Sequence, residues 1–111
     1  MAPATSSRVR KQAPMLKYLC KANPRQAKAI INTADNELLN ALCECSLNVL
    51  KGGIPVSTHQ KQKLRRYKNQ LHTLASKNAS LTRKKKLLQK GGFLSALLSP
   101  IAGLLTNLLG V

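Results

Sequence analysis

Residue types that perform acid–base or metal chemistry are scarce in this chain. Its only acids are Asp35, Glu37 and Glu44, and its only histidines are His59 and His72. General acid–base catalysis needs positioned carboxylates or histidines. The sequence also has no Gly-rich phosphate loop and no G-x-S-x-G motif. We therefore expect no enzymatic activity, no cofactor and no metal site.

The three cysteines, Cys20, Cys43 and Cys45, are the remaining candidates for metal chemistry. Residues two apart on an α-helix point about 200° from each other, so Cys43 and Cys45 cannot face one ion on a regular helix. Cysteine without a partner behaves as a small hydrophobic residue. We interpret all three as small buried side chains.

Positive charge is the strongest signal. Nineteen Lys and Arg residues stand against three acids, a net charge of +16, and no acid follows Glu44. Self-repulsion of this size is tolerated when a polyanion neutralises it, and the two candidates are nucleic acid and an anionic membrane surface. Solvated helices normally interleave both signs of charge. We therefore predict phosphate contacts from Lys61, Lys63, Arg65, Arg66, Lys68, Arg83, Lys84, Lys85, Lys86 and Lys90.

Aromatic residues are only 3% of the chain and are scattered. Single-stranded nucleic acid is usually bound by stacking bases on aromatic side chains, and no such platform is present. Double-stranded DNA, bound without sequence preference through its phosphates, is the favoured partner.

The elements that must position these cations are predicted to be helices. No stretch alternates with period two for long enough to be a strand. The sequence predicts an all-α protein with three to four short helices in a small basic bundle, followed by an apolar C-terminal helix. A helix over about 57–77 is predicted to begin with a capping box of Ser57 and Gln60. Helix starts are predicted where a capping residue precedes an apolar periodic run, at Asn23-Pro24, Asp35, Ser57 and Ser80.

Composition divides the chain into three parts. Residues 1–14 are rich in Ala, Ser, Pro and basic residues, and are predicted to be a disordered tail. Residues 15–90 are predicted to form the basic helical domain. Residues 91–111 have no charge and are predicted to be a separate apolar segment.

The apolar segment has three possible roles. About 20 apolar residues can just span a bilayer, although Pro100 and Asn107 interrupt the run. It could instead lie on a membrane surface or bind a partner, either a capsid protein or a second copy. It could also close the protein's own core, because 75 residues supply little apolar surface. For membrane or partner contact, the candidate side chains are Phe93, Leu94, Leu97, Leu98, Ile101, Leu104, Leu105 and Leu108.

Several stretches of the chain resemble a viral family. They are residues 15–24 (MLKYLCKANP), Ala34-Asp35 with Leu38-Leu39 and residues 42–45 (LCEC), and residues 88–94 (LQKGGFL). Over most of residues 15–100 the chain is similar to the core-protein-X-like late proteins of Polinton (Maverick) elements and adintoviruses. The similarity to the adenovirus core protein X precursor, also called mu, is confined to the junction where basic residues are followed by Gly-Gly and then by an apolar residue.

The resemblance implies a structural protein of the virion core that binds and helps compact double-stranded DNA, in the virion and the host-cell nucleus. It also implies cleavage by a viral cysteine protease after Gly-Gly, with an aliphatic residue two positions before the pair. The candidate sites are Gly53 and Gly92. Leu50 fits the pattern before Gly52-Gly53, whereas Gln89 departs from it before Gly91-Gly92. A helix C-cap is the alternative interpretation of Gly52-Gly53.

Two further interpretations remain beside this DNA-binding hypothesis. One is a membrane-active or tail-anchored protein whose basic helices lie on anionic lipid. The other is a helical interaction module with a self-buried tail.

Overall fold

Helices account for all the regular secondary structure in the part of the chain that is described. The computed structural model describes residues 7–54 and 56–109. No strand occurs within these residues, which confirms the all-α class, although the helices there number seven and not four or five. They are α1 (Ser7–Lys21), α2 (Pro24–Asn32), α3 (Asn36–Leu50), α4 (Thr58–Arg65), α5 (Lys68–Ala75), α6 (Leu81–Leu88) and α7 (Gly91–Leu109).

The predicted helix starts are confirmed. Asn23 Oδ1 accepts a hydrogen bond from the Gln26 N–H at 2.8 Å, and the Gln26 side chain accepts one from the Asn23 N–H at 3.1 Å. Asp35 Oδ1 accepts from the Leu38 N–H at 2.9 Å. Each bond satisfies an amide that has no partner within its helix. The same geometry begins the later helices, through Ser57 with Gln60 for α4 and Ser80 for α6.

The end of α3 is fixed by a glycine in the left-handed region. Gly52 has φ +80° and donates to the Val49 carbonyl at 3.3 Å, while Gly53 donates to the Asn48 carbonyl at 2.8 Å. These two bonds define a Schellman motif. Ile54 follows directly and is 1% exposed, so it anchors the chain as it leaves the helix. The helix C-cap interpretation of Gly52-Gly53 is confirmed.

The single helix predicted over about 57–77 is wrong. α4 ends at Arg65 and α5 begins at Lys68, because Tyr67 leaves the helical region with φ −114° and ψ 26°. The break lets α4 pack against α7 while α5 packs against α3. Tyr67 itself packs on Phe93, with ring centroids 5.9 Å apart.

The predicted disorder of residues 1–14 is wrong over residues 7–14, which belong to α1. Val9, Ala13 and Leu16 recur at helical spacing and are fully buried. Pro14 lies inside the helix and removes one backbone hydrogen bond. Burial of the apolar stripe against α3 and α7 outweighs that local cost. Residues 1–6 lie outside the described part of the chain.

The C-terminal apolar helix is part of this domain. α7 packs against α1 and α4, so the predicted boundary at residue 90 does not separate two units. Phe93, Leu97 and Ile101 are fully buried beside Leu16 and Leu19 of α1. The reason is the shortage of apolar surface in the preceding helices, which α7 supplies.

The candidate membrane or partner contacts of α7 are therefore corrected. Six of them, Phe93, Leu94, Leu97, Leu98, Ile101 and Leu105, are buried within the protein's own core. Leu104 is half-buried against the same core, and the side chain of Leu108 lies outside the described part. The self-buried tail is confirmed for this fold. No described helix could cross a membrane alone by length and hydropathy, and Leu81–Leu88 with Gly92–Thr106 would qualify only as a pair bent by 91°.

Candidate nucleic-acid interface

α4 carries the first group of predicted phosphate contacts. Its apolar anchor is Leu64, which is 6% exposed and points into the protein. The surrounding cations, Lys61, Lys63 and Arg65, are exposed, as are Arg66 at the C-cap and Lys68 at the start of α5. Cations near a helix C-terminus are favoured by the helix dipole, which helps α4 to hold two of them in its last turn.

α6 carries the second group, and one of its predicted phosphate contacts, Lys84, is buried. Arg83 and Lys86 are exposed and lie three residues apart, hence on one side of the helix. Lys85 is half-buried. Lys84 is only 7% exposed and faces the protein, so it is not available to a phosphate in the way its neighbours are. The periodicity of α6 explains this, because Lys84 lies four residues before the fully buried Leu88.

Lys84 has a specific neighbour in Cys43 of α3. Burial raises the pKa of the Cys43 thiol, and the Lys84 ammonium, which forms a hydrogen bond with it, opposes that rise. A buried lysine needs such a polar partner, because a charge transferred out of water without one is costly. Lys84 therefore joins α6 to α3.

The acids lie elsewhere. Asp35 caps α3, while Glu37 and Glu44 within α3 approach Arg8 of α1 at 3.9 and 3.7 Å. Within residues 7–54 and 56–109, no ion pair joins a carboxylate to a cation of α4 or α6. Ion pairs within the described residues therefore do not neutralise the charges of α4 and α6.

The fold brings the two basic helices to common neighbours. Both α4 and α6 pack against α5 and against α7. Lys90 is exposed in the short connection between α6 and α7. The predicted cations other than Lys84 thus lie on, or next to, helices that share α5 and α7 as neighbours.

Of the three cysteines predicted to be small buried side chains, only Cys45 is fully buried, whereas Cys20 and Cys43 are half-buried. Cys45 is buried, and burial raises the pKa of its thiol to about 12, with the Glu44 charge adding to the effect. Cys20 is half-buried, and burial raises its pKa to about 11. A reactive cysteine needs the opposite shift. In the part of the chain that is described, no three His, Cys, Asp or Glu side chains converge as a metal site.

Both candidate cleavage sites adjoin buried side chains. The residue after Gly53 is Ile54, at 1% exposure, and the residue after Gly92 is Phe93, at 0%. Gly92 also lies inside the first turn of α7, and a Cβ placed there would overlap the Tyr67 hydroxyl. A protease must bind its substrate in an extended form, so either cut would require local unfolding first.

A feature that sequence reasoning missed is a trough along α7. Its floor is apolar, and its far bank is formed by the end of α1 and by α2. Four cations stand at that bank: Lys17, Lys21, Arg25 and Lys28. The helical spacing of Lys17 to Lys21 was a visible signal, but it did not reveal that an apolar depression lies beside them.

Comparison with known proteins adds no relative. No family model matches the chain, and neither the curated proteins nor the solved structures contain a significant match.

Proposed function

We propose that this protein binds double-stranded DNA non-specifically through the cations of α4 and α6 and helps to compact it. The observation that carries the proposal is that these cations, apart from Lys84, are exposed or half-buried, and that no carboxylate within residues 7–54 and 56–109 forms an ion pair with them. Phosphate contacts of this kind position a protein on DNA without reading its sequence. Neutralisation by phosphate would also relieve the self-repulsion of a chain with net charge +16.

Salt dependence gives the proposal a magnitude. Nine predicted cations other than Lys84 are exposed or half-buried: Lys61, Lys63, Arg65, Arg66, Lys68, Arg83, Lys85, Lys86 and Lys90. Each phosphate contact contributes about −0.9 to the slope of log K against log salt concentration. If all nine bind phosphates, the slope is about −8. The measured value then counts how many of them contact DNA.

A salt series with two single variants tests the site. Lys86→Ala should make the slope less steep by about 0.9, because an exposed phosphate contact is lost. Lys84→Met is the matched control on the same helix: it also removes one charge, but from a side chain that is 7% exposed. It should leave the slope nearly unchanged. The measurement is fluorescence anisotropy of a labelled duplex of random sequence.

The proposal fails if duplex DNA is not bound at low salt. It fails equally if neutralising Arg83, Lys85 and Lys86 together leaves the slope unchanged. Vesicles containing an anionic phospholipid provide the competing polyanion. If the protein binds these vesicles more tightly than it binds DNA, and α7 leaves the core on binding, the membrane hypothesis replaces the DNA-binding hypothesis.

The narrower proposal is a structural role in a virion core, and it rests on the resemblance of residues 15–100 to the core-protein-X-like late proteins. Its physical support is that DNA compaction requires a small, strongly cationic protein that contacts phosphates through more than one helix. Sedimentation of plasmid DNA with increasing protein measures compaction directly. A protein that binds duplex DNA without changing its sedimentation would contradict the compaction part alone.

A further inference from the structure

The trough along α7 consists of two adjoining depressions. Its main part has a volume of about 690 Å³ and lies between α7 and α2. A smaller part of about 240 Å³ continues between α7 and α1. The two parts share Cys20 and Ala102, so they form one continuous surface.

The floor of the trough is apolar and its length is defined. Along α7 it extends from Leu94 to Thr106, twelve residues apart. At 1.5 Å per residue this is about 18 Å. Leu98, Ala102 and Ala27 contribute to its floor and walls, and the small side chains among them allow a close approach.

Charge around the trough has one sign. Lys17, Lys21, Arg25 and Lys28 lie along the α1 and α2 bank, and none of the residues that line either part is acidic. The α7 bank presents hydroxyl groups from Ser95, Ser99 and Thr106. An occupant that fits must be apolar on one side and negatively charged beside it. DNA lacks the apolar side.

We propose that this trough binds an amphipathic acidic helix of a partner protein. A helix of about 12 residues matches the length, and its apolar face at positions i, i+3, i+4 and i+7 would cover the floor. Carboxylates flanking that face would meet the four cations of the bank, which sets the direction and register of docking.

Other occupants fit less well. An extended peptide gains its affinity from the free edge of a sheet, and the walls here are helices whose backbone groups are already paired. A lipid chain requires a site that encloses most of its surface, whereas Ser95, Ser99 and Arg25 on the banks of this trough are exposed. A second copy of the chain also has a net charge of +16 and only three acids, so it does not complement the cations beside the trough.

The proposal is independent of DNA binding, because the trough uses none of the cations assigned to phosphate. A partner helix could therefore be bound while α4 and α6 remain on DNA. The strongly cationic protein would then join duplex DNA to an acidic protein surface.

The experiment uses the full chain, reduced and freed of nucleic acid. The probe is a synthetic peptide of about 14 residues with Leu at helical spacing and Glu elsewhere. The control peptide has the same composition in an order that gives no apolar face. Binding is measured by anisotropy, and the site is mapped by iodoacetamide labelling of Cys20, which lines the trough, and of Cys43, which does not.

We expect the amphipathic peptide to bind at least about 10-fold more tightly than its control. It should slow labelling of Cys20 and leave labelling of Cys43 unchanged. The double variant Arg25→Glu, Lys28→Glu should weaken binding by about 10-fold or more. Lys51→Glu, Lys77→Glu is charge-matched and lies outside the trough, so it should change binding much less.

Three results overturn the proposal. The first is equal binding of the two peptides, and the second is equal weakening by the two charge variants, since both indicate attraction to net charge alone. The third is unchanged labelling of Cys20 in the presence of saturating peptide. If anionic vesicles protect Cys20 when the peptide does not, the trough binds lipid instead.

Discussion

Burial of α7 leads to a sharp prediction at Leu97. This side chain is fully buried in the middle of α7 and belongs to the same core as α1 and α3. Leu97→Ala removes its branched end and leaves a cavity that packed neighbours fill only in part. Such changes cost about 3–4 kcal/mol of unfolding free energy. The whole chain, at roughly 0.05–0.15 kcal/mol per residue, has about 6–17 kcal/mol.

The assay is urea unfolding followed by far-UV circular dichroism. With a slope of about 1.5 kcal/mol per M, a loss of about 3 kcal/mol lowers the midpoint by about 2 M. Ser95→Ala is the matched control, because Ser95 is exposed on the same helix, about 200° around from Leu97. Ser95→Ala should change the unfolding free energy by less than about 0.5 kcal/mol.

A midpoint for Leu97→Ala within error of the parent protein would refute the reasoning. That result would mean that α7 does not close the core in solution. It would reopen a membrane or partner as the surface that covers Leu97.

Three further predictions concern backbone and thiol chemistry. Gly52→Ala should destabilise the protein by about 1 kcal/mol, because Gly52 has a φ of +80°. Gly103→Ala should stabilise it by about 0.5–1 kcal/mol, because Gly103 is helical and no atom lies near its Cβ position. Urea midpoints of the two variants that move in the same direction would contradict this. Gly92→Ala should lower the unfolding free energy by at least about 0.5 kcal/mol more in the parent than in a Tyr67→Phe background, because the added Cβ overlaps the Tyr67 hydroxyl. A coupling energy of zero in the double-mutant cycle would exclude that contact. Burial raises the pKa of Cys20 from 9.0 to about 11, so its alkylation at pH 8 should be about 100-fold slower than in urea-unfolded protein. For the same reason the unfolding free energy should decline as the pH rises from about 9 to 11. Equal alkylation rates in the folded and unfolded states would refute the pKa shift.

Sequence signals predicted the ends of the helices well wherever the signal was local. The Asn23, Asp35 and Ser57 caps act on amides two or three residues away, so their types and spacing are sufficient. The Gly52 cap is local in the same sense. All-α class followed from the same short-range periodicity.

The cations of the candidate interface were only partly predictable. Lys61, Arg65 and Arg83 are exposed as expected, since a polar residue on a helix normally faces water. Lys84 differs because α6 docks on α3, and that contact selects which of four consecutive basic residues turns inward. The residue types in the Arg-Lys-Lys-Lys run do not distinguish Lys84 from its neighbours, and only its position four residues before Leu88 places it on the packed side once α6 docks.

The charge imbalance, the helical class, the caps and the apolar character of residues 93–106 follow from the sequence alone. What the apolar residues face depends on tertiary packing. An apolar helix has the same periodicity whether lipid, a partner or its own protein covers it, because the hydrophobic effect depends on area removed from water and not on the identity of the cover. Tertiary packing also broke the helix at Tyr67 and kept one through Pro14, in each case because burial of several side chains outweighs a local backbone cost.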